Sequence, residues 1–171
     1  MTHAEGERAV AEPESTPQPI DDPDELLFRQ VHPNWIVDGI PSSQTFNPTK
    51  KDEGKLSIAL GSKTDAEGAY RHHVEVRRLA SVGTWAVAVG EASRAGRQAF
   101  PEPLDNDPAH GFVDFRGISR GDAEKAAKVL LSYARARGCL YSPEQAHDRM
   151  ARPSGSPPPS LSPSPSPTQG H

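Results

Sequence analysis

The chain has 171 residues, about one domain's worth, and its 18 Pro and 14 Gly are too many punctuating residues for all of it to pack. Only 34% of residues are hydrophobic, and the sequence has neither an apolar run near the ~18 residues needed to cross a bilayer nor a basic-then-apolar leader at MTHAEGERAV. The single cysteine, Cys139, excludes a disulfide framework or a multi-cysteine zinc module, so a cytoplasmic, reducing compartment is expected.

The formal charge is −4, and it is unevenly placed. Residues 1–23 carry Glu5, Glu7, Glu12, Glu14, Asp21 and Asp22 against Arg8 alone, whereas acids and bases balance over 24–150. The acidic arm has no aromatic residue and too little apolar area to offset a backbone ordering cost of ~1–2 kcal/mol per residue, so it reads as disordered. From Pro153 onward, PSGSPPPSLSPSPSPTQGH has the composition of an extended, solvated tail. The foldable unit is then 24–150, one domain between a disordered arm (1–23) and a disordered Pro/Ser-rich tail (151–171). Its neutral balance argues against a nucleic-acid or anionic-membrane partner, both of which need clustered Lys and Arg.

In chain order, LLFRQVH (26–32) is a short apolar strand closed by Pro33, which has no N–H to donate. Residues 34–55 are broken by Gly39, Pro41, Pro48 and Gly54, so they read as a long loop with one brief strand at SSQTF. LSIAL (56–60) is the next strand. Thr64 opens a capping-box pattern with Glu67, and Ala66, Ala69, Tyr70, His73 and Arg77 form one stripe of a helix expected to end near 78–80. TWAVAV (84–89) is apolar at nearly every position, which suits a central strand covered on both faces. HGFVDF (110–115) follows a Pro- and Asp-rich loop. The last element is an amphipathic helix capped by Ser119, with an apolar stripe from Ala123 to Ala134, Arg135 and Arg137 facing the C-terminal dipole, and Gly138 as its stop. The order implies an α+β fold, a small mixed or antiparallel sheet of about four strands with two helices, since strict βαβ alternation is missing.

Residues 29–57 concentrate the chemistry. Arg29, His32, Ser42, Ser43, Lys51 and Asp52 stand beside Trp35 and Phe46, so groups that bind an anion lie next to aromatic anchors. These eight residues form the expected binding surface of a binding or accessory protein without catalysis of its own, whose partner is a protein or a small anionic ligand. Alternation puts Arg29 on the face of Leu27 and Val31; if that face is covered, the guanidinium needs a carboxylate or an anionic ligand. Adjacent His72 and His73 diverge by about 100° on a regular helix, and His110 and Asp114 are ~13 Å apart on an extended strand, so no metal site is expected. No phosphate-cradling or nucleophile-elbow glycine motif occurs.

The segment RQVHP followed by SSQTFNPTKKDEGKLS resembles a family of small bacterial proteins over roughly residues 24–140, and that resemblance implies one ordered unit and no particular activity. Separately, the order Arg29, Ser42-Ser43, Glu91 resembles compact ADP-ribosyltransferases. There the resemblance implies NAD as substrate, with Arg29 on its phosphate, Ser43 bracing the site and Glu91 stabilising the ribose transition state. The Ser-Thr-Ser and Glu-x-Glu details of that family are absent. Arg29, Ser43 and Glu91 are the catalytic candidates under this alternative, which requires all three to share one cleft.

Overall fold

The computed structural model describes residues 16–151; residues 1–15 of the acidic arm and the tail from 152 lie outside them. The fold is α+β. Its main sheet has five strands: β1 (Leu26–Gln30), β4 (Lys55–Leu60), β5 (Thr84–Ala88), β6 (Ala99–Pro101) and β7 (His110–Asp114), in the order β5-β1-β4-β7-β6, every pair antiparallel. The strand beyond the expected four is β6. It is only three residues long and ends in Pro101, a residue tolerated at a sheet edge because no neighbour there needs its N–H.

Residues 34–55 are ordered by local hydrogen bonds. Asp38 and Gly39, both at positive φ (51° and 77°), turn β2 (Ile36–Val37) into β3 (Ile40–Pro41), the backbone sense that a two-residue hairpin demands. SSQTF is a 3₁₀ turn rather than a strand, because Thr45 N–H and Asn47 N–H return to the carbonyls of Ser42 and Gln44.

On one face of the sheet lies α3 (Arg120–Arg137), whose Ala126, Ala127, Leu130, Leu131 and Ala134 are buried against Leu27, Leu56, Ile58, Val87 and Val113. Its boundaries follow the sequence: Ser119 Oγ accepts the Asp122 N–H at 3.1 Å, and Gly138 stops the helix at φ 84°. The two C-terminal arginines have more specific partners than the helix dipole. Arg135 donates to Pro41 O, and Arg137 reaches Ala86 O and the Glu91 carboxylate.

The opposite face is covered more thinly. Phe28 and Ala86 meet Ala69 of α1 (Ala66–Arg71) there. The cap of α1 is Asp65, one residue later than the capping-box reading, since its Oδ1 takes the Gly68 N–H at 2.7 Å. After Arg71 the helix widens into a single π turn, His72–Val76, closed by the Arg77 N–H on His72 O. Between the two layers β5 is an edge strand, not the expected central one. Its apolar text has a different cause: α3 covers one face, α1 the other, and residues 140–141 bond its outer edge through Thr84 N–H to Tyr141 O and Leu140 N–H to Thr84 O. The described chain also includes α2 (Val89–Arg94), α4 (Pro143–Ala151), and residues 16–23, where Ile20 N–H bonds Ala99 O and Pro23 O accepts the Gly90 N–H. Among the described residues no helix is long and apolar enough to cross a membrane.

Candidate functional site

The alternation of β4 explains why a cavity forms. Leu56, Ile58 and Leu60 fill the face toward α3, which leaves the small residues Ser57 and Ala59 on the face toward α1. Small residues opposite a short helix leave space, and a cavity of about 410 Å³ opens there. Its floor is Phe28, Ser57 and Ala59. One wall is Ala69, His72, His73 and Arg77 of α1 and its π turn, another is Asp107 to His110, and a third is Trp35, Thr49, Lys51 and Asp52. A mostly apolar concavity of this size with a few converging polar groups is the usual form of a small-ligand site.

Arg29 stands where β1 and β4 part company. The ladder between them registers only Leu27 with Leu60 and Phe28 with Ala59. One residue on, the Arg29 guanidinium takes over as donor, with Nη1 to Ser57 O at 2.8 Å and Nε to Thr45 O at 2.8 Å. Its Cζ is 5.3 Å from the centre of the Trp35 ring, and Nη2 has no hydrogen-bond partner among the described residues. Burial pulls its pKa down to about 10, Asp52 opposing and Arg77 adding to the shift, so it stays cationic at neutral pH. The covered guanidinium is thus satisfied in part by carbonyls rather than by a carboxylate.

Around it the charge is uneven. Arg29, Lys51, Lys63 and Arg77 line the cavity against Asp52 and Asp107. Lys51, Lys63 and Arg77 make no ion pair among the described residues, while Asp52 is engaged by the Thr49 N–H and hydroxyl and Asp107 lies 3.6 Å from His72 Nδ1. Burial first and the Arg77 charge next lower the His73 pKa to about 4, with Arg29 and His72 adding and a backbone hydrogen bond at Ala80 opposing, so this imidazole is neutral at pH 7. On the floor, His110 Nε2 is 3.1 Å from Ser57 Oγ, and its Nδ1 is 2.9 Å from Glu102 O.

The sequence candidates divide. Arg29, Trp35, Lys51 and Asp52 line the cavity together. His32 does not; its Nδ1 accepts the Asn34 N–H and caps a 3₁₀ turn, with its ring 5.7 Å from that of Trp35. Ser42 and Ser43 begin the next 3₁₀ turn, outside the lining. Phe46 is 1% exposed and belongs to the core beneath α3, so its ring anchors the loop to the fold rather than a ligand to the loop. Glu91 is engaged elsewhere, in a two-pronged pair with Arg137 at 2.9 and 3.0 Å, and it accepts the Ala88 N–H at 2.7 Å. Burial raises the Glu91 pKa, but the Arg137 hydrogen bond, the Ala88 N–H and the Arg137 and Arg94 charges outweigh it and hold the carboxyl below its ordinary value. Arg29, Ser43 and Glu91 therefore do not line one cleft.

Ser57, Lys63, His72, His73, Arg77, Asp107 and His110 also line the cavity and are not among the eight binding residues expected from the sequence. The sequence signal for Ser57 is its place beside Ala59 on the small-residue face of an otherwise apolar strand. Among the described residues no cluster of three His, Cys, Asp or Glu is placed to hold a metal ion. Compared with protein-family models, curated proteins and solved structures, the chain matches none.

Proposed function

We propose that this chain is a cytoplasmic binding protein that takes a small organic anion into the cavity between its sheet and α1. The observation that carries the reading is the cationic set around an apolar floor: Arg29 with an unused Nη2 beside Trp35, and Lys51, Lys63 and Arg77 without ion pairs among the described residues. A planar guanidinium with open donors matches a carboxylate or phosphate, and Phe28, Ala59, Ala69 and Trp35 supply apolar contact for the body of the ligand. The volume, about 410 Å³, suits a molecule with one or two rings rather than a folded partner.

Thermal unfolding with benzoate, phenyl phosphate and neutral benzyl alcohol tests this. Binding to the folded state alone raises the midpoint as ligand is added. The midpoint should rise with the two anions and not with the alcohol, and the rise should shrink in a Lys51→Glu/Arg77→Glu double variant. An equal response to the alcohol, or none to any anion, would refute the assignment.

A further inference from the structure

The floor of the cavity holds an arrangement that binding alone does not require. Ser57 and His110 sit on neighbouring antiparallel strands, with Ala59 opposite His110 and Phe112 opposite Ser57, so the two are diagonal neighbours on one face. Ser57 Oγ is 3.1 Å from His110 Nε2. The other ring nitrogen, Nδ1, is 2.9 Å from the backbone carbonyl of Glu102. A carbonyl only accepts, so Nδ1 carries the proton and Nε2 presents its lone pair to the serine hydroxyl. The Glu102 carboxylate lies 3.7 Å from the same Nδ1 and is held by Lys55, where it faces the charge that would appear on the ring if Nε2 took a proton. Glu102 N–H also bonds His110 O at 3.0 Å, which fixes the spacing of the two residues. A hydroxyl, a base within hydrogen-bond reach and a third group orienting the base are the parts of an activated nucleophile. Both Ser57 and His110 line the cavity, and the Arg29 guanidinium is bonded to the carbonyl of Ser57 itself.

We propose that Ser57 is a nucleophile activated by His110, acting on esters; the further statement that the preferred ester carries a carboxylate or phosphate rests on the anion-binding reading above. In the first step the bond from Ser57 Oγ to the acyl carbon forms, and the hydroxyl proton passes to His110 Nε2. The bond from that carbon to the leaving oxygen then breaks, and His110 returns the proton to the departing alcohol. Water, deprotonated by the same nitrogen, attacks the acyl-serine; its hydroxyl stays on the acid product and its proton returns to Ser57. No oxidant, reductant or further co-reactant is needed.

The full chain is treated with an alkyl fluorophosphonate, which forms a Ser–O–P bond with loss of fluoride, and is followed by intact mass and peptide mapping. One adduct is expected, on Ser57, absent in Ser57→Ala and formed at least ~100-fold more slowly in His110→Gln, the scale of a lost general base. Circular dichroism of both variants keeps misfolding separate from lost reactivity. No adduct on the wild-type protein, an adduct retained in Ser57→Ala, or equal rates with and without His110 would each overturn the proposal. Turnover of mono-4-nitrophenyl glutarate against neutral 4-nitrophenyl valerate then separates the two readings. Labelling of Ser57 with no preference for the charged ester overturns the ester class and the anion site while the nucleophile stands. Anion-dependent stabilisation without labelling overturns the nucleophile alone.

Discussion

Replacing Glu91 by alanine separates a structural carboxylate from one that serves a site. The substitution removes both oxygens from Arg137 and the acceptor from the Ala88 N–H, leaving the guanidinium with only Ala86 O. Breaking a fully buried pair costs about 3–5 kcal/mol, but here the two side chains keep 15% and 26% exposure, so a loss of about 2–3 kcal/mol is expected, roughly 5–10 °C in melting temperature for a chain of this size. The pH dependence gives an independent check. Because the folded carboxyl titrates below its ordinary 4.5, its contribution is complete above about that pH and is lost as the pH falls through the lower folded value. Urea unfolding of wild type and Glu91→Ala should therefore differ at pH 7 and converge under acid. A variant with unchanged stability at pH 7 that had lost anion or NAD binding would overturn this structural role and make Glu91 a site residue.

Three other outcomes follow from the same contacts. Phe46→Ala should lower stability by about 3–5 kcal/mol, as for a fully buried aromatic, measured by denaturant unfolding; a loss under 1 kcal/mol would show that the ring does not fill the core. Ala59→Leu places a larger side chain on the cavity floor and should abolish the anion-dependent rise in melting temperature while circular dichroism stays unchanged; retained stabilisation would put the anion elsewhere. His73 titrates at about 4 in the folded chain against 6.5 ordinarily, so the unfolded chain binds the extra proton between these values. Stability should then fall as pH drops from 6.5 to 4, by about 1–2 kcal/mol after solvent screening of a half-buried ring, and His73→Gln should flatten that part of the profile.

Much of the fold is written in local pattern. The helix over 120–137 is marked at both ends and along its stripe, because Ser119, Gly138 and the alanine-leucine spacing all act within a few residues of one another. Strands β1, β4, β5 and β7 are legible from apolar runs and breakers for the same reason. Strand β6 is not, since three residues carry too little periodicity, and their pairing depends on β7 ten residues further along. The edge position of β5 was hidden because an apolar run reports how many faces are covered, and residues 140–141 cover its edge by backbone bonds that leave no trace in composition. The site divides in the same way. Arg29, Trp35, Lys51 and Asp52 cluster in the chain and again in space. His72, His73, Arg77 and His110 reach the cavity through a π turn and a strand register, which neither a 3.6-residue nor a two-residue sequence period reports. Phe46 shows the converse error, an aromatic beside charges that the fold turns inward.

On the proposed reading, the cavity over Phe28, Ser57 and Ala59 receives an anion. Recording amide and imidazole resonances of the isotopically labelled chain during titration with phenyl phosphate tests it at residue level. Saturable shifts should gather at Trp35, Ser57, Ala59, His73 and His110 and leave the outer face of α3 still. Saturable shifts confined to α3 or to the chain ends would contradict the account.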